Sequence, residues 1–258
     1  MANATSTQLQ ELYVAYFGRA ADPTGLDYWT EKGISTTKFA ADMYAQAEFK
    51  DAYGSLSTEA QVNQIYKNLF DREADVTGLN YWTLQINLGS LKLAEIATHL
   101  IWAAQNNTGS SDDKTALTNR TNAAVAYTAK VKETTAAVLA YQAESTSPWV
   151  SGDNIKEAIS YLSGIDKDTA HTSAGVASSV TTITTNETPG VSGKAYVLTT
   201  AVDTISGGGG KDSVSASNTT LTAGDVIDGG AGTDTLRVTN LTGFDSGDGS
   251  SVSEFETL

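Results

Sequence analysis

Two nine-residue segments near the C-terminal end, residues 207–215 (GGGGKDSVS) and 229–237 (GGAGTDTLR), constrain this chain more than any other feature. Both follow G-G-x-G-x-D-x-U-x, in which U is a large apolar residue. Glycine lets the backbone turn through positive φ and aim carbonyl oxygens inward. The aspartate adds a hard carboxylate oxygen, and calcium accepts such a mixed set of backbone and side-chain oxygens. Gly207, Gly208, Gly210 and Asp212, with Gly230, Gly232 and Asp234, are therefore candidate metal ligands. Val214 and Leu236, two places after each aspartate, are expected to face the inside of a coil of short strands. Two half-motifs, Asp203-x-Ile205 and Asp225-x-Ile227, stand nine residues before the aspartates of the full motifs. They are expected to form the stacked turn that shares an ion, so Asp203 and Asp225 join the ligand set, as does Asp228 beside the second glycine run. Plain Gly/Asp turns are the simpler alternative; two full and two half matches in one register favour Ca2+.

The charge suits a cation. The formal net charge is −14, and residues 191–258 hold 3 basic against 9 acidic residues. Such a surface argues against nucleic acid or an anionic membrane as an electrostatic partner. With no cysteine, a disulfide framework, a thiol nucleophile and a thiolate-bound metal are all excluded. The start, MANATSTQLQELY, has neither the basic nor the apolar region of a secretory signal, and no apolar run approaches the roughly 20 residues of a membrane span. The end, Glu256-Thr257-Leu258, reads as a strand without a turn, so a longer protein is expected.

Residues 1–106 read as a duplicated helical domain, with copies at about 8–55 and 61–106. LYVAYFGRAADPTGLDYWT (12–30) aligns with IYKNLFDREADVTGLNYWT (65–83) at an offset of 53, matching Tyr13/Tyr66, Phe17/Phe70, Arg19/Arg72, Asp22/Asp75, Gly25/Gly78 and Trp29/Trp82. Each copy is expected to form helix, tight turn, helix and a third helix, with Asp22 and Asp75 as caps and Arg19 and Arg72 in local ion pairs with them. The repeated Tyr-Trp dipeptides admit two readings. Tyr28, Trp29, Tyr81 and Trp82 are candidate carbohydrate-stacking faces, or they are core. The helical phase favours core for Trp29 and Trp82 and leaves Tyr28 and Tyr81 open.

This part resembles a repeated bacterial surface-protein domain with the pattern L-Y-x4-G-R-x2-D-x2-G-L-x-Y-W, a family of unknown function. Copy two departs from it at Asp71, where copy one has Gly18, and at Val76, where it has Pro23.

Residues 107–185 read as further helices. One long helix is expected over 110–146, with a stripe of Val125, Val131, Val138 and Tyr141 and a stop at Ser147-Pro148. A shorter one follows, capped by Asp153. After Gly164 the Ser/Thr-rich sequence is expected to be partly helical at most. Residues 186–194 read as a linker, and 195–258 as the start of a strand-rich coil opening with AYVLTT; thirteen of the 23 glycines lie at or after Gly190. The expected fold class is thus α+β by segments: an all-α N-terminal domain, then a calcium-binding parallel β-roll or β-solenoid.

No catalytic motif emerges. His99 and His171 have no nucleophile or ligand at motif spacing, and no HExxH, GxSxG or P-loop is present, so the chain is not expected to be an enzyme. The whole arrangement resembles the N-terminal part of an RTX-type bacterial surface-layer (S-layer) protein. YVLTTAVDTISGGGGKDSVSAS, LTAGDVIDGGAGTDTLRV and SVSEFETL carry the likeness in residues 193–258, and the helical half carries it by architecture. The resemblance implies a secreted cell-surface protein exported by type I secretion. Its helical domain would anchor to lipopolysaccharide O-polysaccharide of the outer membrane, and its calcium-bound solenoid would begin self-assembly into a two-dimensional lattice. An RTX adhesin or matrix protein, and a secreted RTX hydrolase with its catalytic domain elsewhere, are the competing readings.

Overall fold

The computed structural model describes residues 2–142, 149, 151–185, 193–206, 210–229, 234–239 and 251–253. It divides into two compact units, Met1–Thr134 with Tyr141–Thr181, and Thr135–Ala140 with Thr182–Leu258. The first is helical and the second carries the strands. The parts of the expected linker at 186–192, the Ser147-Pro148 stop and the final Glu256-Thr257-Leu258 lie outside the described residues.

The first copy forms α1 (Ser6–Phe17), α2 (Pro23–Lys32), α3 (Thr36–Ala45) and α4 (Ala47–Tyr53); the second forms α5 (Thr58–Phe70), α6 (Val76–Asn87), a 3-10 turn (Leu93–Glu95) and α7 (Ile96–Asn106). Their boundaries follow local rules. Thr5 and Gln8 form a reciprocal capping box at α1, while Asp22 and Asp75 accept the N–H groups of Gly25 at 2.6 Å and Gly78 at 2.8 Å. A side-chain oxygen in that place satisfies a backbone donor that the first turn leaves unpaired. At the C-termini of α1 and α5, Gly18 (φ 66°) and Asp71 (φ 55°) both turn left-handed. Asp is among the few side chains that tolerate this, and its carboxylate accepts a bond from Arg120 at 3.2 Å. The Gly-to-Asp departure between the copies thus preserves the backbone.

α1 is the centre of the unit. It packs against α3, α5, α7 and α8, so nine of its residues are buried, including Gln10 and Glu11. Gln10 Nε2 donates to Thr128 Oγ1 (2.6 Å) and its Oε1 accepts from Ala21 N (3.0 Å). Leu9, Leu12, Tyr16, Phe39, Ile65, Leu69, Ile96 and Leu100 fill the core around it.

The expected local ion pairs of Arg19 with Asp22 and Arg72 with Asp75 do not form. Arg19 reaches Glu48 through Nε and Nη2, both at 2.7 Å, and Arg72 reaches Asp113 with the same fork at 2.7 Å. Asp22 and Asp75 are occupied as caps, which leaves each guanidinium to a carboxylate on another element.

Residues 110–146 do not make one helix. α8 (Ser111–Val131) ends before Lys132, and α9 (Thr135–Ala140) is a separate short helix of the second unit. The buried face of α8 is Ala116, Leu117, Arg120, Ala123, Ala124, Tyr127, Thr128 and Val131, and Val125 is exposed. Of the expected stripe, Val131 and Tyr141 are buried and Val138 is half-buried, so Val125 alone departs from it; small side chains fill much of the rest of the buried face of α8. α10 (Asp153–Ser163) begins at Asp153, with Gly152 in the capping position. The Ser/Thr-rich segment is more helical than expected: α11 (Ser173–Thr185) buries Val176, Ser179, Val180 and Ile183 on one side. Thr181 Oγ1 donates back to Ala177 O at 2.8 Å, which absorbs a hydroxyl that would otherwise favour non-helical backbone. Among the described residues no helix is long and apolar enough to cross a membrane.

The second unit holds two three-stranded parallel sheets. β1 (Ala195–Val197), β3 (Ser213–Ser217) and β5 (Thr235–Thr239) form one; β2 (Thr204–Ser206), β4 (Val226–Asp228) and β6 (Ser251–Ser253) form the other. The chain alternates between them, and Tyr196, Val214 and Leu236 fall in one register, as do Ile205, Ile227 and Val252. Val214, Ile227 and Leu236 are buried in one cluster with Leu198, Ala216 and Leu221, as the apolar position of the motif required.

Two stability measurements test the helical unit. Burial pushes the Glu11 carboxyl up to about 7; it accepts a hydrogen bond from Gln105 Nε2 at 3.1 Å. The folded state therefore holds the proton more tightly than the unfolded chain, and stability falls as pH rises from about 4.5 toward 7. Glu11→Gln should remove that slope and add about 3 kcal/mol at pH 8, read by denaturant titration across pH; an unchanged slope contradicts the assignment. Arg19 and Glu48 are 2% and 11% exposed, against 39% and 15% for Arg72 and Asp113. Arg19→Ala should therefore cost about 3–5 kcal/mol and Arg72→Ala about 1 kcal/mol or less.

Candidate functional site

The four motif aspartates each stand just before a strand, and the topology sorts them onto opposite edges. Asp212 and Asp234 precede β3 and β5 at one edge, with Gly210 two residues before Asp212. Asp203 and Asp225 precede β2 and β4 at the other edge. This corrects the expected pairing: motifs nine residues apart face away from each other, and the aspartates that stack are 22 apart in each column, as the ladder Thr204↔Val226 and Ser213↔Thr235 requires. Nine residues lead from one edge to the other, and the chain returns to the same edge after 22.

Each column is a ladder of carboxylates on backbone donors. Asp212 N donates to Asp234 Oδ1 at 2.7 Å, and Lys194 N to Asp212 Oδ1 at 2.6 Å. On the other edge Asp203 N donates to Asp225 Oδ1 at 2.8 Å. The reverse bond is backbone only, from Val226 N to Asp203 O and from Thr235 N to Asp212 O, both 2.9 Å. The corner thereby keeps N–H groups paired where the strand ladder lapses.

The columns differ in their remaining oxygens. Asp203 Oδ2 accepts from Thr199 N at 2.7 Å, and Thr199 Oγ1 also donates to it. Asp225 Oδ2 accepts from Thr222 N at 2.7 Å, and its Oδ1 accepts from Thr222 Oγ1 at 3.2 Å. These two carboxylates close their own turns. By contrast, Asp212 is 2% exposed, and its Oδ2 is buried without a hydrogen-bond partner among the described residues. A carboxylate oxygen in that condition is costly unless something else satisfies it. Gly210 lies two residues away with φ 95°, and Asp228, at the exit of β4, stands on this same edge. Gly207, Gly208, Gly230 and Gly232 lie outside the described residues. Among the described residues no three acidic or imidazole side chains group as a metal site.

The aromatic pairs have one geometry in both copies. Tyr28 meets Trp29 edge-on at 4.9 Å, as Tyr81 meets Trp82. Trp29 packs against Phe39 at 5.4 Å, and Trp82 Nε1 donates to Tyr66 Oη at 3.0 Å. Both tryptophans are half-buried against the core, whereas Tyr28 and Tyr81 are 54% and 53% exposed. Lys32 lies over both rings of the first pair, 4.8 Å from Trp29 and 5.1 Å from Tyr28. His99, exposed, stands against Trp82.

A third feature was not legible in the sequence. An open cavity of about 380 Å³ is lined by Arg72, Ser110, Asp112, Asp113, Asp166 and Lys167, among others. The helix start at 110–113 was read only as a cap, yet Ser110 makes no side-chain cap bond. Asp113 instead holds Arg72, and Asn119 and Arg120 hold the 165–167 segment through Asp166 O (2.8 Å) and Ile165 O (2.6 Å). Contacts across roughly 45 residues have no sequence signature.

Residues 40–108 match a family model described as Domain of unknown function (DUF4214). The matched stretch contains the second copy's 65–83 and stops short of the first copy's 12–30. No curated protein and no solved structure matches the chain.

The corner ladder gives a direct expectation. Asp225→Ala removes the acceptor of two backbone N–H groups, each worth about 1–3 kcal/mol when left buried. It should lower the melting temperature of the strand unit in chelator as much as in calcium; a loss confined to calcium buffer would show the carboxylate to be a ligand instead.

Proposed function

We propose that this chain is a non-catalytic structural protein of the bacterial cell surface. Its strand unit begins a calcium-binding β-solenoid of the RTX type, and its helical unit anchors an S-layer to lipopolysaccharide O-polysaccharide. The observation that carries the reading is the column of Asp212 and Asp234, where Asp212 commits one oxygen to Lys194 N and keeps the other buried with no hydrogen-bond partner among the described residues.

That residue set fits a hard cation. Asp212, Asp234 and Asp228 would hold it together with backbone carbonyl oxygens of the glycine-rich segments, including Gly210, since calcium coordinates 6–8 oxygens of mixed origin. The bound ion would supply positive charge between stacked carboxylates that otherwise repel one another. Asp203 and Asp225, expected as ligands, have a different share of the work: they close the opposite corners through Thr199 and Thr222. Without the ion, an acidic glycine-rich segment gains too little from burial to offset its ordering entropy. Export unfolded and folding outside the cell are then two sides of one equilibrium.

Sugar recognition falls to the helical unit. Tyr28 and Tyr81 offer exposed ring edges and faces, while Trp29 and Trp82 serve as the supports that orient them. The cavity beside Arg72 adds hydroxyl, carboxylate and ammonium groups for hydrogen bonds to sugar hydroxyls, and its mixed charge suits a polyol better than a lipid tail.

Two binding measurements test this. Calcium titration followed by β-structure should show a saturable rise, and Asp212→Asn, which keeps the acceptor for Lys194 N, should weaken it by about tenfold or more. Retention of the chain on lipopolysaccharide should require the O-polysaccharide and fall in Tyr28→Ala/Tyr81→Ala. A flat calcium titration sinks the solenoid reading, and binding that ignores the polysaccharide sinks the anchoring one.

A further inference from the structure

The two columns of aspartates are closed by different chemistry. Asp203 accepts from Thr199 N at 2.7 Å, and Thr199 Oγ1 donates to both its oxygens at 3.1 and 3.2 Å. Asp225, fully buried, accepts from Asp203 N (2.8 Å), Thr222 N (2.7 Å) and Thr222 Oγ1 (3.2 Å). Both oxygens of each carboxylate are thus matched by donors of the chain itself. The same hydroxyls tie the turns together, since Thr199 Oγ1 accepts from Ala201 N at 3.2 Å and Thr222 Oγ1 donates to Ala201 O at 3.4 Å. Upstream of Thr222, Ser217 N donates to Thr220 Oγ1 at 2.8 Å and Leu221 N to Ser217 O at 2.8 Å, with Leu221 in the buried cluster of the strands.

Asp212 has its backbone donor, Lys194 N, but its Oδ2 is buried with no hydrogen-bond partner among the described residues. The sequence leading into each aspartate sharpens the contrast. No glycine lies between Leu198 and Asp203 and one, Gly224, between Ser217 and Asp225; four lie between Ser206 and Asp212, and three between Asp228 and Asp234. Glycine loses more conformational freedom on ordering than any other residue, so the lead-ins of Asp212 and Asp234 are the costlier ones to fix.

We propose that calcium works on this unit as a latch at one edge. Without the ion, the corners of Thr199 with Asp203 and Thr222 with Asp225 keep β2 and β4 paired, while the edge of Asp212 and Asp234 stands open. The ion then closes the open edge against a half that is already in register. This rests on the calcium-binding reading and adds a division of labour within one D-x-U pattern. The preformed half sets the pairing of Thr204 with Val226 before β3 meets β5. It also leaves less ordering entropy for the ion to offset, so the first coil closes at lower calcium than a coil with two glycine-rich edges.

Amide exchange on the 258-residue chain, in chelator and in calcium, tests the latch. In chelator the amides of Thr199, Asp203, Thr222 and Val226 should be protected, while those of Asp212, Ser213 and Thr235 exchange as in an open chain. Calcium should slow the second group by about tenfold or more and leave the first nearly unchanged. Thr199→Val/Thr222→Val removes both hydroxyls at constant shape. It should speed exchange of the first group in chelator and raise the calcium needed for half-maximal β-structure by about tenfold; Thr199→Ser/Thr222→Ser should restore both. Where calcium slows exchange but the two groups are protected alike in chelator, or neither is, the latch is overturned and the calcium reading stands. A Thr199→Val/Thr222→Val chain that needs no more calcium than the wild type also overturns it. Exchange that calcium alters nowhere overturns the calcium reading, and the latch with it.

Discussion

Backbone N–H groups that regular structure leaves unpaired are the common constraint on both units, and side-chain oxygens answer it throughout. Thr5, Asp22, Ser35, Ser57 and Asp75 do so at helix starts. Gln10 and Asn63, at equivalent places in the two copies, do so for Ala21 N and Ala74 N. Asp212, Asp225 and Asp234 do so at the corners between strands. A buried donor without an acceptor costs on the order of 1–3 kcal/mol, so a few such losses would consume a net stability of about 5–15 kcal/mol. The same device sets up the candidate site: once one oxygen of Asp212 is tied to the backbone, the other is fixed in place and buried.

Duplication explains how the helical unit came to have two similar halves with unequal duties. The shared features are those of local backbone geometry, the aspartate caps and the left-handed ends at Gly18 and Asp71. The halves differ in what lies outside each repeat. Arg19 finds Glu48 on α4 of its own copy, whereas Arg72 finds Asp113 on α8, outside both copies. The ion pair is buried in the first copy, and in the second it lines an open cavity.

Much of the fold could be read from the chain. The duplicated pattern, the caps of α2 and α6, the half-buried place of Trp29 and Trp82 and the inward Val214 and Leu236 all rest on periodicity or on contacts within four residues. The candidate site was legible only in composition. That Asp212 and Asp234 share an edge depends on the length of a lap, and the insertion after Ser217 makes that length 22 residues, with a nine-residue spacing surviving only as a crossing from one edge to the other. The role of Thr199 and Thr222 had a signal only in their places, four residues before Asp203 and three before Asp225.

The sequence by itself determined that helices precede short strands, where most elements start, and which residues are available to a cation. Tertiary structure alone decided the partners of Arg19 and Arg72, the burial of Glu11 in α1, the end of α8 before Lys132, the helical state of 173–185 and the edge on which each aspartate stands. The division has a physical basis. Caps, turns and amphipathic spacing are set by neighbours along the chain, while burial and ion pairing depend on which surfaces meet across 20 to 120 residues, and that is fixed by packing.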